Sequence, residues 1–329
     1  QTTQAARRVK QIHALTRFAL TGTPVENRLS ELWSIFDYLM PGFLMSYRQF
    51  REKLEIPIVE EQDEEVVEKL RRFIAPFVLR RLKKDVLRDL PDKMEEVIYV
   101  QLQGEQNRVY RAEVQKLRQR LAKRDTDFNR DRIEILAALT RLRQLCCSPE
   151  LILENYHGDS AKTDQCMDML RDAAGSGHKV LVFSQFTSML DILTKKAQAE
   201  QIRYHLLTGA TSKEERAQMV QEFETDDTQV FFISLKAGGT GLNLTAADIV
   251  IHYDPWWNLA AQNQATDRTH RIGQKNVVTV YKLIAKDTIE DRILELQGKK
   301  AQLADQVLGG EEIGRASFTR QELMEILED

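Results

Sequence analysis

Three cysteines in 329 residues are too few for a disulfide framework. Cys146 and Cys147 are adjacent and Cys166 stands apart, so the spacing of a zinc site is missing too. Ordinary reduced thiols of a cytosolic protein are the expectation. The sequence has no apolar run long enough to span a bilayer and no signal peptide, so neither membrane spanning nor secretion is expected. A net charge of −3 excludes a uniformly basic coat, though not a local basic face. A phosphate-binding loop is also lacking. Such a loop needs glycines for backbone approach, then Lys and Ser or Thr for phosphate and magnesium. The nearest match, GGEEIGRAS at 309–317, has Arg315 where Lys belongs and follows a helical pattern. An acidic pair for magnesium should end an apolar strand. Asp63, Glu64 and Glu65 follow polar residues and read as a solvated helix start. The chain opens at Gln1 without an initiator Met, so an excised part of a longer protein is expected.

What is present reads as a soluble globular protein, 42% hydrophobic and 29% charged, long enough for two domains. Residues 1–100 are mostly helical in pattern. A short strand is expected at Phe18–Leu20, running into the turn signal TGTP, and a helix near Leu29–Leu39. The segment 77–93 carries Arg80, Arg81, Lys83, Lys84, Arg88 and Lys93 against three Asp. A strand at 94–102 precedes two helices, 107–124 and one ending near Cys147, that suggest a hairpin. The first includes Arg118 and Arg120, with Glu113 its only acid. From Lys162 the pattern changes. Runs at 180–184, 204–207, 230–234, 248–253 and 277–284 alternate with helical segments. Strands rich in Val and Ile in that order imply an α/β fold, a parallel sheet with helices on both faces. A closing helix is expected from about Thr288 to Val307, with a tail after it.

Three segments carry possible chemistry. SLKAGGTGLNL (234–244) directly follows the strand VFFIS. Ligands of doubly wound sheets bind outside the carboxyl ends of strands, and Gly238, Gly239 and Gly241 would let backbone approach a phosphate. A plain glycine-rich turn fits as well. DPWWN (254–258) also follows a strand, and one Trp could stack on a base or wedge a groove, or pack a corner. QATDRTHRIGQ (264–274) sets Gln264, Arg268 and Arg271 at i, i+4 and i+7, one face of a helix. An exposed salt-bridged face would look the same. All three segments are expected at one end of the sheet.

In this order the motifs resemble a known family. FALTGTPVENRLSELW (18–33) resembles motif III of the Swi/Snf-type, helicase-like DNA translocases of helicase superfamily 2. VLVFSQF (180–186) is similar to motif IV. HLLTGATSKEERAQMVQEF (205–223) is similar to the following motif, with Gly209 and Arg216 at its typical positions. SLKAGGTGLNL resembles motif V and QATDRTHRIGQ motif VI. Leu259 departs from the usual DPWWNP. That Pro only favours a first helical turn, so little effect is expected.

The resemblance implies a RecA-like fold and a division of the chain. Residues 1–92 would be the end of a first lobe, mostly helical. Residues 93–160 would open the second lobe with a helical insertion, 161–307 would complete that lobe, and 308–329 would be a tail. It implies ATP and Mg2+ bound mainly by a preceding lobe that is not in this chain, so the chain alone is expected to be inactive. Arg268 and Arg271 would be arginine fingers, with Gln264 orienting the site. Gly239 and Gly241 would approach the nucleotide. Gln185, Lys236, Thr240 and Trp257 would touch DNA, and Thr21 and Thr23 would relay between lobe faces. The implied partners are double-stranded DNA, through its phosphate backbone without sequence specificity, and the preceding lobe. A monomer is expected, nucleoid-associated in a prokaryote or nuclear in a eukaryote. An RNA helicase lobe of the same superfamily and a non-enzymatic nucleic-acid-binding module remain alternatives.

Overall fold

The computed structural model describes residues 4–21, 29–59, 61, 63–79, 81, 83–87, 90–122, 128–156, 158, 160–238, 242–257, 259–295 and 297–298. Two compact units divide the chain, the second beginning at Lys83. The first unit is helical: α1 (Gln4–Lys10), α2 (Leu29–Leu39), α3 (Tyr47–Phe50), α4 (Ile56–Val59) and α5 (Glu64–Ile74), with a π-helical turn, Arg51–Glu55, joining α3 to α4. Leu29, Leu32, Trp33 and Phe36 recur at helical spacing on α2 and are buried. They share a core with Phe50, Leu54, Ile58, Val67, Leu70 and Ile74. Asp63 caps α5 by accepting the N–H groups of Glu65 and Val66 at 2.9 and 3.2 Å, a cap worth about 1 kcal/mol. The acidic run is therefore a helix start, as its polar surroundings suggested.

One expectation fails in this unit. Phe18–Leu20 is not a strand, and Phe18 and Leu20 are exposed. A strand exists only through a neighbour's hydrogen bonds, and no described residue of this unit is in a strand that could pair with it.

The second unit is built on six parallel strands: β1 (Lys93–Val100), β2 (Val180–Ser184), β3 (Tyr204–Leu207), β4 (Val230–Ser234), β5 (Ile249–His252) and β6 (Val278–Ala285). Their order is β1-β6-β5-β2-β4-β3. α6 (Lys83–Val86) leads in, and α7 (Gly104–Ala122) and α8 (Phe128–Cys147) form a hairpin. α9 (Ala161–Gly175), α10 (Thr187–Ala199), α11 (Lys213–Thr225), the single turn α12 (Leu235–Gly238) and α13 (Leu259–Thr266) follow. Residues 289–295 form the closing helix.

Central strands β2 and β4 are buried at every position, because both sheet faces are covered. Alternate residues face opposite ways. Val180, Val182, Val230, Phe232 and Ile251 meet Met167 and Leu170 of α9 and Leu190 and Leu193 of α10. Leu181, Phe183, Phe231, Ile233 and Val250 meet Phe223 of α11, Leu242, Leu244 and Ala265 of α13. This is the α/β architecture expected from the strand pattern.

Candidate functional site

Strands β2, β4 and β5 end level with one another. Ser184 pairs with Ser234 and Phe183 with His252. A parallel sheet so aligned delivers Gln185, α12 and the turn after β5 to one edge. Asp254 ties two of these together. Its carboxylate accepts from Ser184 Oγ at 2.5 Å and from the Gln185 N–H at 3.3 Å. Burial pushes the Asp254 carboxyl up from its ordinary range, against the nearby Arg143 guanidinium and the Ser184 hydrogen bond.

Of the residues expected on this edge, Lys236 is exposed on α12, and Gln185 and Trp257 are half-buried. The Gln185 side-chain oxygen accepts from Arg143 at 2.9 Å, while its amide nitrogen is covered and meets no acceptor among the described residues. Gly238 must be glycine, since a Cβ there would sit 2.9 Å from the Phe183 ring. Gly239, Thr240 and Gly241 lie outside the described residues.

The stretch 264–274 differs from its sequence reading in two ways. Helix α13 ends at Thr266, so half-buried Gln264 is helical but Arg268 and Arg271 are not on its face. They lie in tight turns. The Arg268 N–H bonds to the Ala265 carbonyl at 3.2 Å and that of Thr269 to Thr266 at 3.1 Å. Gly273 has φ +105°, which favours glycine. Gln274 explains the curl. Its amide nitrogen donates to the carbonyls of Thr245, Ala247 and Thr269, and its oxygen accepts from the N–H groups of Lys275 and Asn276. A continued helix could not make these bonds. The stretch also leaves the edge that holds Gln185. His270 Nε2 donates to the carbonyl of Pro91, just before β1, and Gln274 holds Ala247, just before β5. The helix between two parallel strands must carry the chain back to the starting edge, so its far end leaves the carboxyl ends of the strands.

The arginine side chains nevertheless converge. Arg271 Nη1 donates to the Leu242 carbonyl at 3.0 Å, and Arg216 Nη2 donates to the Ala237 carbonyl at 3.0 Å. The two thus grip either flank of the glycine-rich segment 239–241. Arg268 stands near both. Burial lowers its pKa, Arg271 and Arg216 lower it further, and Asp267 pulls it back. Asp267 is itself bonded to Lys83 Nζ at 2.5 Å. Three like charges held together and partly desolvated make a receptor for a multiply charged anion. The guanidinium group keeps its charge and forks onto phosphate oxygens. Sequence reasoning placed Arg216 in its motif but gave it no role. The available signal was the capping box of Ser212 and Glu215, which starts α11 just before it.

The remaining expected residues are scattered. Thr21 is exposed in irregular structure, and Thr23 lies outside the described residues. In the basic segment 77–93, Arg80 lies outside the described residues and Arg81 is exposed. On the hairpin, Arg120 pairs with Glu134, and Glu113 binds both Lys116 and Arg141. The basic hairpin thus spends part of its charge on itself. Among the described residues, no group of three His, Cys, Asp or Glu could hold a metal ion, and no helix is long and apolar enough to cross a membrane.

Two family models match the chain. The model of the SNF2-related domain matches residues 1–151, and that of the helicase conserved C-terminal domain matches 161–273. An uncharacterized ATP-dependent helicase of Mycoplasma pneumoniae is 38% identical over 334 residues, covering 99% of this chain and 31% of the relative. The chain spans about a third of the length of the curated relatives it matches. The Sulfolobus solfataricus SWI2/SNF2 ATPase core domain is 35% identical with a TM-score of 0.60, over 100% of this chain and 68% of that one. The core from the same organism in complex with double-stranded DNA is 37% identical with a TM-score of 0.56, over 92% of this chain and 64% of that one.

Proposed function

The chain belongs to the SNF2-related family of ATP-dependent helicases, and on that premise we propose that it forms the closing half of an ATP-driven translocase on double-stranded DNA. In this reading residues 1–92 end a first RecA-like lobe, 93–307 form the second, and 308–329 are a tail. The observation that carries it is the Arg216, Arg268 and Arg271 cluster beside the glycine-rich segment.

The preceding lobe holds the phosphates of ATP, with Mg2+ neutralising their charge when bound. This chain contributes the opposite wall. Arg268 and Arg271 reach the β- and γ-phosphates when the lobes close and stabilise charge on the transferring phosphoryl group, worth about 10³ to 10⁵ in rate. Gln264 orients that site, and Gly239 and Gly241 let backbone approach the nucleotide. Hydrolysis then needs closure, which couples it to movement. Gln185, Lys236, Thr240 and Trp257 form the DNA track, meeting the DNA backbone without reading sequence. Thr21 and Thr23 link the two faces of the first lobe.

The test is reconstitution. The chain alone should show almost no ATP hydrolysis. The two-lobed protein should hydrolyse ATP and be stimulated by double-stranded DNA. Inactivity of the two-lobed protein with DNA sinks the reading, and stimulation by RNA alone makes it an RNA helicase.

A further inference from the structure

Arg143 lies on α8, far in sequence from every motif above, and its side chain is 5% exposed. Its guanidinium is nevertheless shared among the residues of the proposed DNA track. Nη1 donates to the Gln185 side-chain oxygen at 2.9 Å. Nη2 donates to the Pro255 carbonyl and faces Asp254 at 3.7 Å. The cation lies over two rings, 5.7 Å from the centre of Phe186 and 5.6 Å from that of Trp257. One group therefore reaches both the residue after β2 and the turn after β5.

We propose that Arg143 is a positioning residue for the DNA track, holding Gln185 and the Pro255–Trp257 turn in one register from helix α8. The inference rests on the DNA-track reading above. Among the described residues, Arg143 is the only partner of the Gln185 side chain, whose amide nitrogen has none. Without Arg143, that side chain keeps no hydrogen-bond partner among the described residues. Trp257 loses the cation over its ring at the same time. Lys cannot replace this group, because an ammonium has no planar fork to serve a side-chain oxygen, a carbonyl and two rings together. Asp254 supplies the counter-charge that makes a buried arginine tolerable. The arrangement also gives the α7–α8 hairpin a mechanical connection to the track.

The test uses the two-lobed protein and its ATPase activity as a function of double-stranded DNA concentration. Arg143→Lys keeps the charge beside Asp254 and is the primary variant. Arg143→Gln is read beside it, with thermal melting to check folding. Both should raise the half-saturating DNA concentration roughly tenfold, as expected for losing a charge-assisted hydrogen bond, while activity at saturating DNA is nearly unchanged. Adding Gln185→Ala to Arg143→Lys should cause little further loss, because Gln185 has already been released. With 5-fluorotryptophan incorporated, the ¹⁹F resonance of Trp257, assigned by Trp257→Phe, should shift in Arg143→Lys. An unchanged half-saturation and resonance in a folded Arg143→Lys protein overturns the proposal. So do losses that multiply independently in the double variant. If Gln185→Ala and Trp257→Ala are both silent while hydrolysis still responds to DNA, the track reading itself has failed.

Discussion

Lys83 and Asp267 form an ion pair of 2.5 Å between residues 184 positions apart. Lys83 also donates to the His270 carbonyl at 3.1 Å, so it braces the turn that carries Arg268 and Arg271. Both side chains of the pair are more than a third exposed, and such pairs contribute only about 0–1 kcal/mol to stability. Occupying Asp267 is the larger effect, because a released carboxylate would pair with Arg268 next to it. Lys83→Ala should therefore leave the melting temperature almost unchanged while lowering ATP turnover several-fold in the two-lobed protein. Melting and turnover falling together would show a brace without an electrostatic role.

Arg271→Ala in that protein should abolish hydrolysis, with a loss on the order of 10³-fold or more, and leave ATP binding nearly intact. Arg271 also holds the Leu242 carbonyl. Equal losses of binding and turnover, measured by titration and by steady-state kinetics, would assign it to holding the loop.

His252 gives a prediction in pH. Burial, then Lys282, pushes its imidazole down to about 3 from 6.5, with Lys93 adding and Glu95 opposing. Its Nε2 bonds to Thr266 Oγ1 at 2.9 Å, and its Nδ1 is buried without a partner among the described residues. The unfolded chain takes up a proton between those values and the folded chain does not. Stability from this group is complete above pH about 6.5 and is lost as pH falls toward 3, at roughly 1.4 kcal/mol per pH unit. Glu95 has the same sign. Burial opposes its shift, but hydrogen bonds from Lys282 and Lys93 bring it down to about 2, so it acts only below its ordinary 4.5. Urea midpoints should show this slope between pH about 5 and 6.5, and His252→Gln should flatten that limb. An unchanged slope would refute the assignment.

Lys162 and Glu290 are both wholly buried, with Nζ 2.9 and 2.7 Å from the two carboxylate oxygens. They fasten the start of α9 to the closing helix 289–295. Lys162→Met strands a buried carboxylate and should cost about 3–5 kcal/mol in urea unfolding. Lys162→Met with Glu290→Leu should recover most of that. A double variant as unstable as the single would mean that shape, not charge, fails there.

Much of this fold was legible because hydrophobic patterning is local. VLVFS and VFFIS read as strands buried on both faces, and β2 and β4 are that. The same logic overreached at Phe18–Leu20, whose apolar residues needed a pairing partner. Helix α13 was overextended because nothing local marks its end. The bonds that curl the chain after Thr266 come from Gln274 reaching Thr245 and Ala247.

The sequence by itself determined the order of the motifs, the parallel α/β sheet and the family, since each depends on residue type at short spacing. Tertiary structure alone decided that Arg268 and Arg271 leave the helix, that Arg216 joins them, and that Arg143 serves Gln185 and Trp257. Those relationships are hydrogen bonds and charge contacts between residues tens to more than a hundred positions apart. A directional bond of that kind leaves no periodic trace in the chain that makes it.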